Sequence, residues 1–286
     1  MAGFEFVEKG DSRYPALLGM IPDPPERLYY RGDLCALSYP AIAVVGSRKS
    51  TEYGRWAAYT IAKRLSDHGV AVVSGMAEGI DTWAHKGALA APAPTIAVFG
   101  SGLDFCYPAA NRELMEDIAK SGLLLSEYAA GIRPSRFTFP RRNRIISGLC
   151  GATVVVEAGF SSGSLITAEL AVDQGREIFA VPGNINRKTS VGCNKLIADG
   201  ARPVVFIDDI LTDLGIRPSA AKVLGGDLCG DEKRVVAIIA MNGEMSYDRL
   251  AAEAGLSIAA LTSMVTLLEM KGQVSTAAGK VFLANP

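Results

Sequence analysis

Residues 42–48 read Ile-Ala-Val-Val-Gly-Ser-Arg, a short apolar run that ends in a glycine-containing turn. Similar apolar runs follow at 70–73, 96–99, 123–125, 153–156, 178–181 and 204–206, separated by stretches with helical spacing. Continuous apolar strands that alternate with helices are typical of a parallel sheet covered on both faces. The sequence therefore predicts an α/β fold with a doubly wound, mostly parallel sheet.

Composition excludes several classes of protein. The chain has 286 residues, 29 Lys and Arg against 30 Asp and Glu, and 49% hydrophobic residues, which excludes a disordered chain and a general polycation. Its apolar runs are far shorter than the ~18 residues of a membrane helix, and residues 1–9 carry acids and no apolar signal core. We expect a cytoplasmic protein with no membrane partner.

The positions of the cysteines and histidines do not predict a metal site. The five cysteines are widely scattered, no C-x-x-C occurs, and only His68 and His85 could add imidazole ligands. Structural zinc needs closely spaced ligand pairs. We therefore predict neither a metal nor another cofactor. Asp81 and His85 are spaced i, i+4 on a predicted helix, where they could pair with each other in a structural role.

Four segments are predicted along the chain. Residues 1–40 form a proline-rich segment packed on the main domain, and 41–215 form the α/β domain. A glycine-containing linker at 216–230 leads to 231–286, where three helices and a hairpin follow in winged-helix order. Ser246 and Ser257 are the predicted N-caps of the second and third of these helices.

The turns that follow the strands are the predicted binding site, because ligands of open parallel sheets bind beyond the strands' carboxyl ends. The Gly46-Ser47-Arg48 turn offers backbone amides, a helix N-terminus and a guanidinium, all of which suit a phosphate. Gly75 follows another strand and permits close backbone approach. Neither G-x-G-x-x-G nor a P-loop is present at the first turn. A tight turn with solvated cations is the structural alternative.

Residues 133–144 contain five arginines, two phenylalanines and no acid. Arginines suit phosphates and aromatic rings suit bases, which is the combination that single-stranded nucleic acid requires. Arg141, Arg142 and Arg144 are candidate phosphate ligands from this segment, and we expect its arginines to lack compensating acids. A solvated charged run with two core phenylalanines is the alternative.

Residues 159–163 match the G-x-S-x-G motif of a hydrolase nucleophile elbow. Both histidines precede Ser161, so the usual order of nucleophile and base is absent and acyl hydrolysis by this route is not expected. Ser161, Gly163 and Ser164 instead form a second predicted anion site at a helix start. Carboxylates that could act in glycosidic cleavage are Glu127, Glu157 and Glu169, although local structural roles are the expectation for them.

Taken together, these strings resemble the DNA-processing protein A (DprA/Smf) family. The matching stretches include "IAVVGSR" at 42–48, "VSGMAEGID" at 73–81, "FPRRNRIISGL" at 139–149, "VVEAGFSSGSLITA" at 155–168 and "GCNKLIADGA" at 192–201. The resemblance implies an extended Rossmann-like domain with a basic pocket for the DNA backbone. In that pocket Gly46, Ser47 and Arg48 would hold phosphates, Arg142, Asn143 and Arg144 would continue the pocket, and Phe139 would stack on a base.

The resemblance also implies homodimers and a contact with the RecA recombinase. The predicted function is a non-enzymatic single-stranded DNA-binding protein of natural transformation, which protects incoming DNA and loads RecA. One alternative is a phosphoribohydrolase-like enzyme with Glu169 as its carboxylate, and another is a nucleotide sensor. Residues 231–286 carry five cations against six acids, so a protein-contact or regulatory role is at least as well supported there as duplex binding.

Overall fold

The computed structural model describes residues 4–216, 230–271, 273–277 and 279–283. The chain divides into two compact units, Met1–Pro218 and Ser219–Pro286. The predicted linker at 216–230 lies outside the described residues, apart from its first and last residue.

The larger unit contains nine strands and eight α-helices within its described residues. The strands are β1 (Glu5–Glu8), β2 (Arg27–Gly32), β3 (Ala41–Val45), β4 (Ala71–Ser74), β5 (Thr95–Phe99), β6 (Leu123–Ser126), β7 (Ala152–Val155), β8 (Glu177–Ala180) and β9 (Arg202–Pro203). The helices are α1 (Ala16–Gly19), α2 (Glu52–Asp67), α3 (Ile80–Leu89), α4 (Arg112–Ser121), α5 (Thr138–Gly148), α6 (Gly163–Asp173), α7 (Val191–Ala198) and α8 (Ile207–Asp213).

The nine strands form one sheet in the order β1-β2-β6-β5-β4-β3-β7-β8-β9. From β6 to β9 every neighbouring pair is parallel. Strand order runs backwards from β6 to β3 and then forwards from β7, so the direction of winding reverses between β3 and β7. This reversal is the topological switch point of a Rossmann-like sheet, and it confirms the predicted fold class.

Residues 1–40 contribute more to the fold than the predicted packed segment. Strand β2 pairs antiparallel with β6, and β1 pairs antiparallel with β2, so this segment extends the sheet at one edge. Val7 and Leu28 are fully buried in these strands, whereas the neighbouring positions are largely polar and at least partly exposed. The prolines at 22–25 lie between the two strands, so the turn signal was correct while the short strands beside it were missed.

The opposite edge also differs from the prediction. The apolar run at 204–206 was expected to be a strand, but β9 is the dipeptide Arg202–Pro203. Val205 and Phe206 are exposed, and Phe206 is the N-cap residue of α8. Edge strands are commonly short, and here apolar composition alone placed the strand too far along the chain.

Helices cover both faces of the sheet. One face packs against buried residues of α1, α5 and α6, including Leu18, Ile145 and Ala168. The other face packs against α2, α3 and α8, and α4 covers the part formed by β5 and β6. Helices therefore cover both faces of the strands. A ligand can reach this sheet at the turns beyond the carboxyl ends of the strands, where polar groups lie.

The smaller unit contains α9 (Gly230–Asn242), β10 (Met245–Ser246), α10 (Tyr247–Ala254), α11 (Ile258–Met270), β11 (Val274–Ala277) and β12 (Lys280–Leu283). Ser246 Oγ and Ser257 Oγ accept hydrogen bonds from Arg249 N and Ala260 N, which confirms both predicted N-caps. Gly255 ends α10 in the left-handed region at φ 65°. Strand β12 lies between β10 and β11, which gives the sheet of a winged helix.

No single helix within the described residues is long and apolar enough to cross a membrane. Tyr247–Ala254 and Ile258–Glu269 meet the length and composition only as a pair, and a bend of 103° separates them.

Candidate nucleic-acid interface

A cavity of about 820 Å³ lies beyond the carboxyl ends of β3 and β7, at the switch point of the sheet. Most of the residues predicted to form a site line it, although they come from three separate parts of the sequence. The predicted residues in its lining are Gly46, Ser47, Arg48, Phe139, Arg142, Asn143, Ser161, Gly163 and Ser164. Gly75 lines a small adjoining pocket together with Arg48, Phe139 and Arg142.

The turn after β3 forms one wall. A Cβ on Gly46 would lie 2.6 Å from Ile80 Cγ1 and 2.9 Å from the Glu157 carbonyl oxygen, so this position requires glycine. The Ser47 amide donates a hydrogen bond of 2.7 Å to that same carbonyl oxygen, and the Ser47 carbonyl accepts one from Ile80 N. The turn is therefore rigid, and it presents the exposed side chains of Arg48 and Lys49 to the cavity.

The predicted anion site at the start of α2 is occupied by a side chain of the protein itself. Glu157 Oε2 accepts a hydrogen bond of 2.8 Å from Thr51 N, and Glu157 Oε1 accepts one of 2.6 Å from Thr51 Oγ1. Thr51 Oγ1 in turn accepts from Gly54 N. A buried carboxylate thus already satisfies this end of the helix. The turn offers a phosphate the side chains of Arg48 and Lys49 rather than the start of α2.

Arg48 of this turn, Phe139 and Tyr107 form a stack of one cation and two aromatic rings. The Arg48 guanidinium carbon lies 5.3 Å from the centroid of the Phe139 ring, within the range of a cation–π contact. Tyr107 packs on Phe139 with ring centroids 5.6 Å apart and planes 34° apart. Tyr107 is 52% exposed and also lines the cavity. This residue was missed because a single tyrosine after β5 carries no sequence motif.

Arg142 forms part of the floor. Its side chain is only 4% exposed, and Nη1 donates a hydrogen bond of 2.6 Å to the Val98 carbonyl. Burial lowers the pKa of this guanidinium to about 10, while the Asp81 carboxylate opposes that shift. Gly75 packs directly against the guanidinium, where a Cβ would lie 2.6 Å from Cζ. The guanidinium of Arg142 therefore accounts for the glycine at position 75.

Asp81 fixes the turn after β4. Its Oδ2 accepts hydrogen bonds from Gly75 N at 3.2 Å and Ala77 N at 3.3 Å, and burial raises the pKa of the carboxyl group. Between these amides, Met76 adopts a positive φ of 61°, a strained conformation for a residue with a side chain. The Asn111 Nδ2 group donates to the Met76 carbonyl at 3.0 Å and supports the same turn.

His85 bonds elsewhere than to Asp81. Its Nδ1 lies 2.7 Å from Thr95 Oγ1, and Thr95 Oγ1 donates to the Val72 carbonyl. Burial and the nearby Arg142 charge lower the pKa of His85 to about 3, so the ring is neutral near pH 7. The suggested pairing of Asp81 with His85 is thus replaced by two separate structural roles, one on the turn after β4 and one within the sheet.

The expectation that the arginine-rich segment lacks compensating acids is wrong for Arg144. This side chain is 6% exposed, Nε donates to Asp23 Oδ2 at 2.9 Å, and Nη2 donates to Glu127 Oε1 at 2.5 Å. Arg144 does not line the cavity described here. The partner acids are distant in sequence, one between β1 and β2 and one just after β6, so a local count of charges missed them.

Arg141 also lies outside the cavity lining and is exposed, with Nη2 3.3 Å from Glu127 Oε1. Residues 139, 142, 143 and 146 of α5 line the cavity with helical spacing, and Pro140 in the first turn of the helix lines it as well. The segment was interpreted as a basic run rather than as a helix. Its spacing could have separated the cavity face from the face that meets Glu127.

The second wall is the loop from Gly159 to the start of α6. Ser162 Oγ and Ser164 Oγ are 2.8 Å apart, and the Asn143 amide lies 3.4 Å from the Gly163 carbonyl. Unlike α2, α6 has no side-chain cap on its first amides. Ser161, Gly163 and Ser164 line the cavity, so this helix start presents N–H and O–H donors to it.

This loop does not assemble a hydrolase site. Ser161 faces the cavity, whereas neither His68 nor His85 is among the residues that line it, and the chain has no other histidine. Glu169 is exposed on α6 and also lies outside the lining. Among the described residues, no group of three or more His, Cys, Asp or Glu side chains could hold a metal ion.

The exposed cations of the cavity lining, Arg48, Lys49 and Arg136, have no carboxylate within 4.0 Å among the described residues. The same holds for Arg187, Lys188 and Lys195, on the loop and helix that contact the second wall. Elsewhere in the same unit many cations are paired, as in Arg31 with Glu116 and Arg64 with Asp208. The near-zero net charge therefore does not describe the surface around this cavity.

Comparison with known proteins identifies the family. The model of the family described as DNA recombination-mediator protein A matches residues 5–215. The chain belongs to this family, the DprA/Smf family. The DprA winged helix domain matches residues 220–280, which accounts for the smaller unit.

The DNA processing protein DprA of Streptococcus pneumoniae is 46% identical over 203 residues, which are 71% of this chain and 72% of that protein. The X-ray structure of the same protein superposes with a TM-score of 0.71 at 45% identity and covers 73% of this chain and 74% of that one. A DNA processing protein A structure from Helicobacter pylori, described for its single-stranded DNA binding mode, gives a TM-score of 0.67 at 32% identity and covers 74% of this chain and 96% of that one.

Proposed function

We propose that this chain binds single-stranded DNA in the cavity at the switch point of its sheet. The observation that carries the proposal is the stack of Arg48, Phe139 and Tyr107 at the mouth of that cavity. A guanidinium beside one half-buried ring, Phe139, and one exposed ring, Tyr107, offers a phosphate contact and a stacking surface within one nucleotide's reach. Duplex DNA would not present its stacked bases to these rings.

The proposed contacts divide into backbone and base contacts. Arg48, Lys49 and the hydroxyls of Ser47, Ser161 and Ser164 bind phosphates. The uncapped start of α6, at Gly163, adds backbone amides to these contacts.

Phe139 and Tyr107 stack on bases, and the Asn143 amide bonds to a base edge. Arg142 and Gly75 shape the floor beneath them. Arg141, exposed outside the lining and in contact with Glu127, is not among the proposed contacts, and Arg144 stays in its ion pairs.

Membership of the family supports a more specific proposal. We propose that the protein acts in natural transformation in the cytoplasm, protects incoming single strands and transfers them to a RecA recombinase. It acts as a homodimer joined through the larger unit, and its role requires binding rather than catalysis. The DprA relatives named above support this assignment, as does the Helicobacter pylori structure described for binding single-stranded DNA.

We further propose that the winged helix of residues 231–286 serves protein contact or regulation. The exposed polar residues of α11 are Thr262, Ser263, Thr266 and Glu269, none of which is a cation. Recognition helices that bind duplex DNA typically supply basic side chains to the phosphates.

The test is a paired assay of nuclease protection and of RecA assembly on a coated single strand. Arg48→Ala and Phe139→Ala should each reduce protection and RecA assembly at a protein concentration that saturates for the wild type. Arg13→Ala is the matched control, because Arg13 forms an ion pair with Asp11 and does not line the cavity. Full protection by both cavity variants would reject the proposal.

A further inference from the structure

Phe160 is an exposed aromatic residue at the edge of the second wall. Its side chain is 76% exposed, and its two neighbours, Gly159 and Ser161, both line the cavity. A single exposed apolar residue is ordinary on a protein surface. Three features of the surroundings set Phe160 apart: a rigid support, a cation at the ring, and continuity with the cavity.

The support comes from backbone bonds between two loops. Ala158 N donates to the Thr189 carbonyl at 2.9 Å, and Gly192 N donates to the Ala158 carbonyl at 2.8 Å. A Cβ on Gly192 would lie 2.8 Å from Ala158 Cβ, so the two backbones are in close contact. The base of the Phe160 loop is therefore fixed to the loop between β8 and α7, which reduces the entropy lost when a ligand packs on the ring.

A cation completes the arrangement. Lys195 Nζ, on α7, lies 5.9 Å from the centroid of the Phe160 ring. Arg187 and Lys188 lie on the adjoining exposed loop, and none of these three cations has a carboxylate partner within 4.0 Å among the described residues. Backbone of Lys188 also approaches Gly159, where a Cβ would lie 3.4 Å from its carbonyl oxygen. The positive charge near the ring is thus available to a phosphate.

This pair repeats the chemistry of the first wall. Arg48 and Phe139 lie at the first wall of the cavity. Phe160 and Lys195 lie next to the second wall, which also carries the hydroxyls and amides at the start of α6. We infer that Phe160 and Lys195 form a second base-stacking subsite, which holds nucleotides that extend beyond the cavity. The inference rests on the proposed function and specifies the path of the strand.

The occupant is single-stranded DNA because the strand is already expected in the adjoining cavity and carries both groups that the subsite would recognise. A planar base fits the exposed ring, and the next phosphate fits Lys195. The subsite predicts that affinity rises with oligonucleotide length in two steps, first when the cavity is filled and again when Phe160 is reached.

The experiment measures affinity for oligothymidylates from about 4 to about 16 nucleotides, in the range of known single-strand site sizes. Phe160→Ala should lower affinity for the longest oligonucleotide on the order of tenfold and leave the shortest nearly unchanged, while Phe139→Ala weakens both. Tyr39→Ala is the control, because Tyr39 is an exposed aromatic residue that precedes β3, at the opposite end of that strand. An unchanged melting temperature verifies that each variant folds.

A second measurement uses Lys195→Gln, with Lys120→Gln as control because Lys120 pairs with Asp117. Loss of one phosphate contact should make the salt dependence shallower by about one in a plot of log affinity against log salt, for the long oligonucleotide only. Wild-type behaviour of both Phe160→Ala and Lys195→Gln at every length, with Phe139→Ala still weakened, overturns the second subsite alone. Equal weakening at every length also overturns it, because Phe160 would then belong to the first site. If Arg48→Ala and Phe139→Ala bind like the wild type, the proposed function itself fails.

Discussion

At the scale of single residues, arginines that look alike in the sequence have different roles. Arg48 is exposed beside an aromatic ring, Arg142 is buried against a backbone carbonyl, and Arg144 is held between two acids. The sequence shows that residues 133–144 are rich in arginine, and it predicted that they lie near the strand ends. It could not predict burial or ion pairing, because the partners Asp23 and Glu127 are brought close only by the fold.

Arg144→Ala should therefore affect stability more than it affects DNA contacts. Removing Arg144 leaves Glu127, whose side chain is 14% exposed, without its buried partner, and we expect a loss of about 3 kcal/mol in the free energy of unfolding. Arg48→Ala should change that free energy by less than about 0.5 kcal/mol, since its side chain is exposed. Urea unfolding measures both. Equal stability of the two variants would contradict the assignment of Arg144 as a structural residue.

We expect His85 to make the free energy of unfolding depend on pH. Its pKa is about 3 in the folded protein, below the ordinary value of 6.5, so the unfolded chain binds a proton that the folded chain excludes between these values. As pH falls from 6.5 towards 3, this residue should reduce stability by up to about 1.4 kcal/mol per pH unit.

His85→Asn retains an amide near Thr95 but does not titrate. The free energy of unfolding of the wild type should therefore fall more steeply with decreasing pH than that of the variant, as measured by urea unfolding at several pH values. Parallel curves for the two proteins between pH 7 and pH 4 would show that His85 is protonated without cost in the folded state.

At the scale of elements, the turns after β3 and β7 were predicted to contribute to one site, and the structure places both in the lining of one cavity. Apolar runs that end in glycine and serine are local signals, and the strand order of a doubly wound sheet brings such turns together. What could not be predicted is which helix start stays open. Glu157 caps the start of α2 from 106 residues further along the chain, so this helix is satisfied while α6 remains uncapped.

Two glycines of the cavity should respond differently to alanine. Gly46→Ala places a methyl group against Ile80 and the Glu157 carbonyl, and we expect it to lower stability by about 1–3 kcal/mol. At Gly163 no atom lies within 4 Å of an added Cβ, so Gly163→Ala should leave stability within about 0.5 kcal/mol of the wild type.

Gly163 lines the cavity at the start of α6, where the proposed function places a phosphate. An added methyl group there should hinder that contact, so we expect Gly163→Ala to lower affinity for single-stranded DNA several-fold. Thermal unfolding and fluorescence anisotropy separate the two effects. Wild-type affinity in a folded Gly163→Ala variant would remove this helix start from the interface.

At the scale of the whole molecule, a chain with a formal charge of −1 carries a local surface that suits a polyanion. Among the residues that the structure describes, many cations elsewhere in the larger unit have acid partners, whereas the exposed cations of the cavity lining, Arg48, Lys49 and Arg136, have none within 4.0 Å. A neutral chain and DNA binding are therefore compatible. Length and alternating pattern predicted two units and the fold class. The edge strands β1 and β2 were missed because four to six residues of mixed polarity carry little strand signal.

The most direct test of single-strand binding in this cavity is the affinity for one sequence as a single strand and as a duplex over a series of salt concentrations. The wild type should prefer the single strand, and log affinity should fall with log salt at a slope between about −2 and −4, as three to six phosphate contacts require. Arg48→Ala should weaken single-strand binding on the order of tenfold, while Arg13→Ala leaves it unchanged. Equal affinity for both forms of DNA, or single-strand affinity that ignores salt and Arg48, would contradict the account.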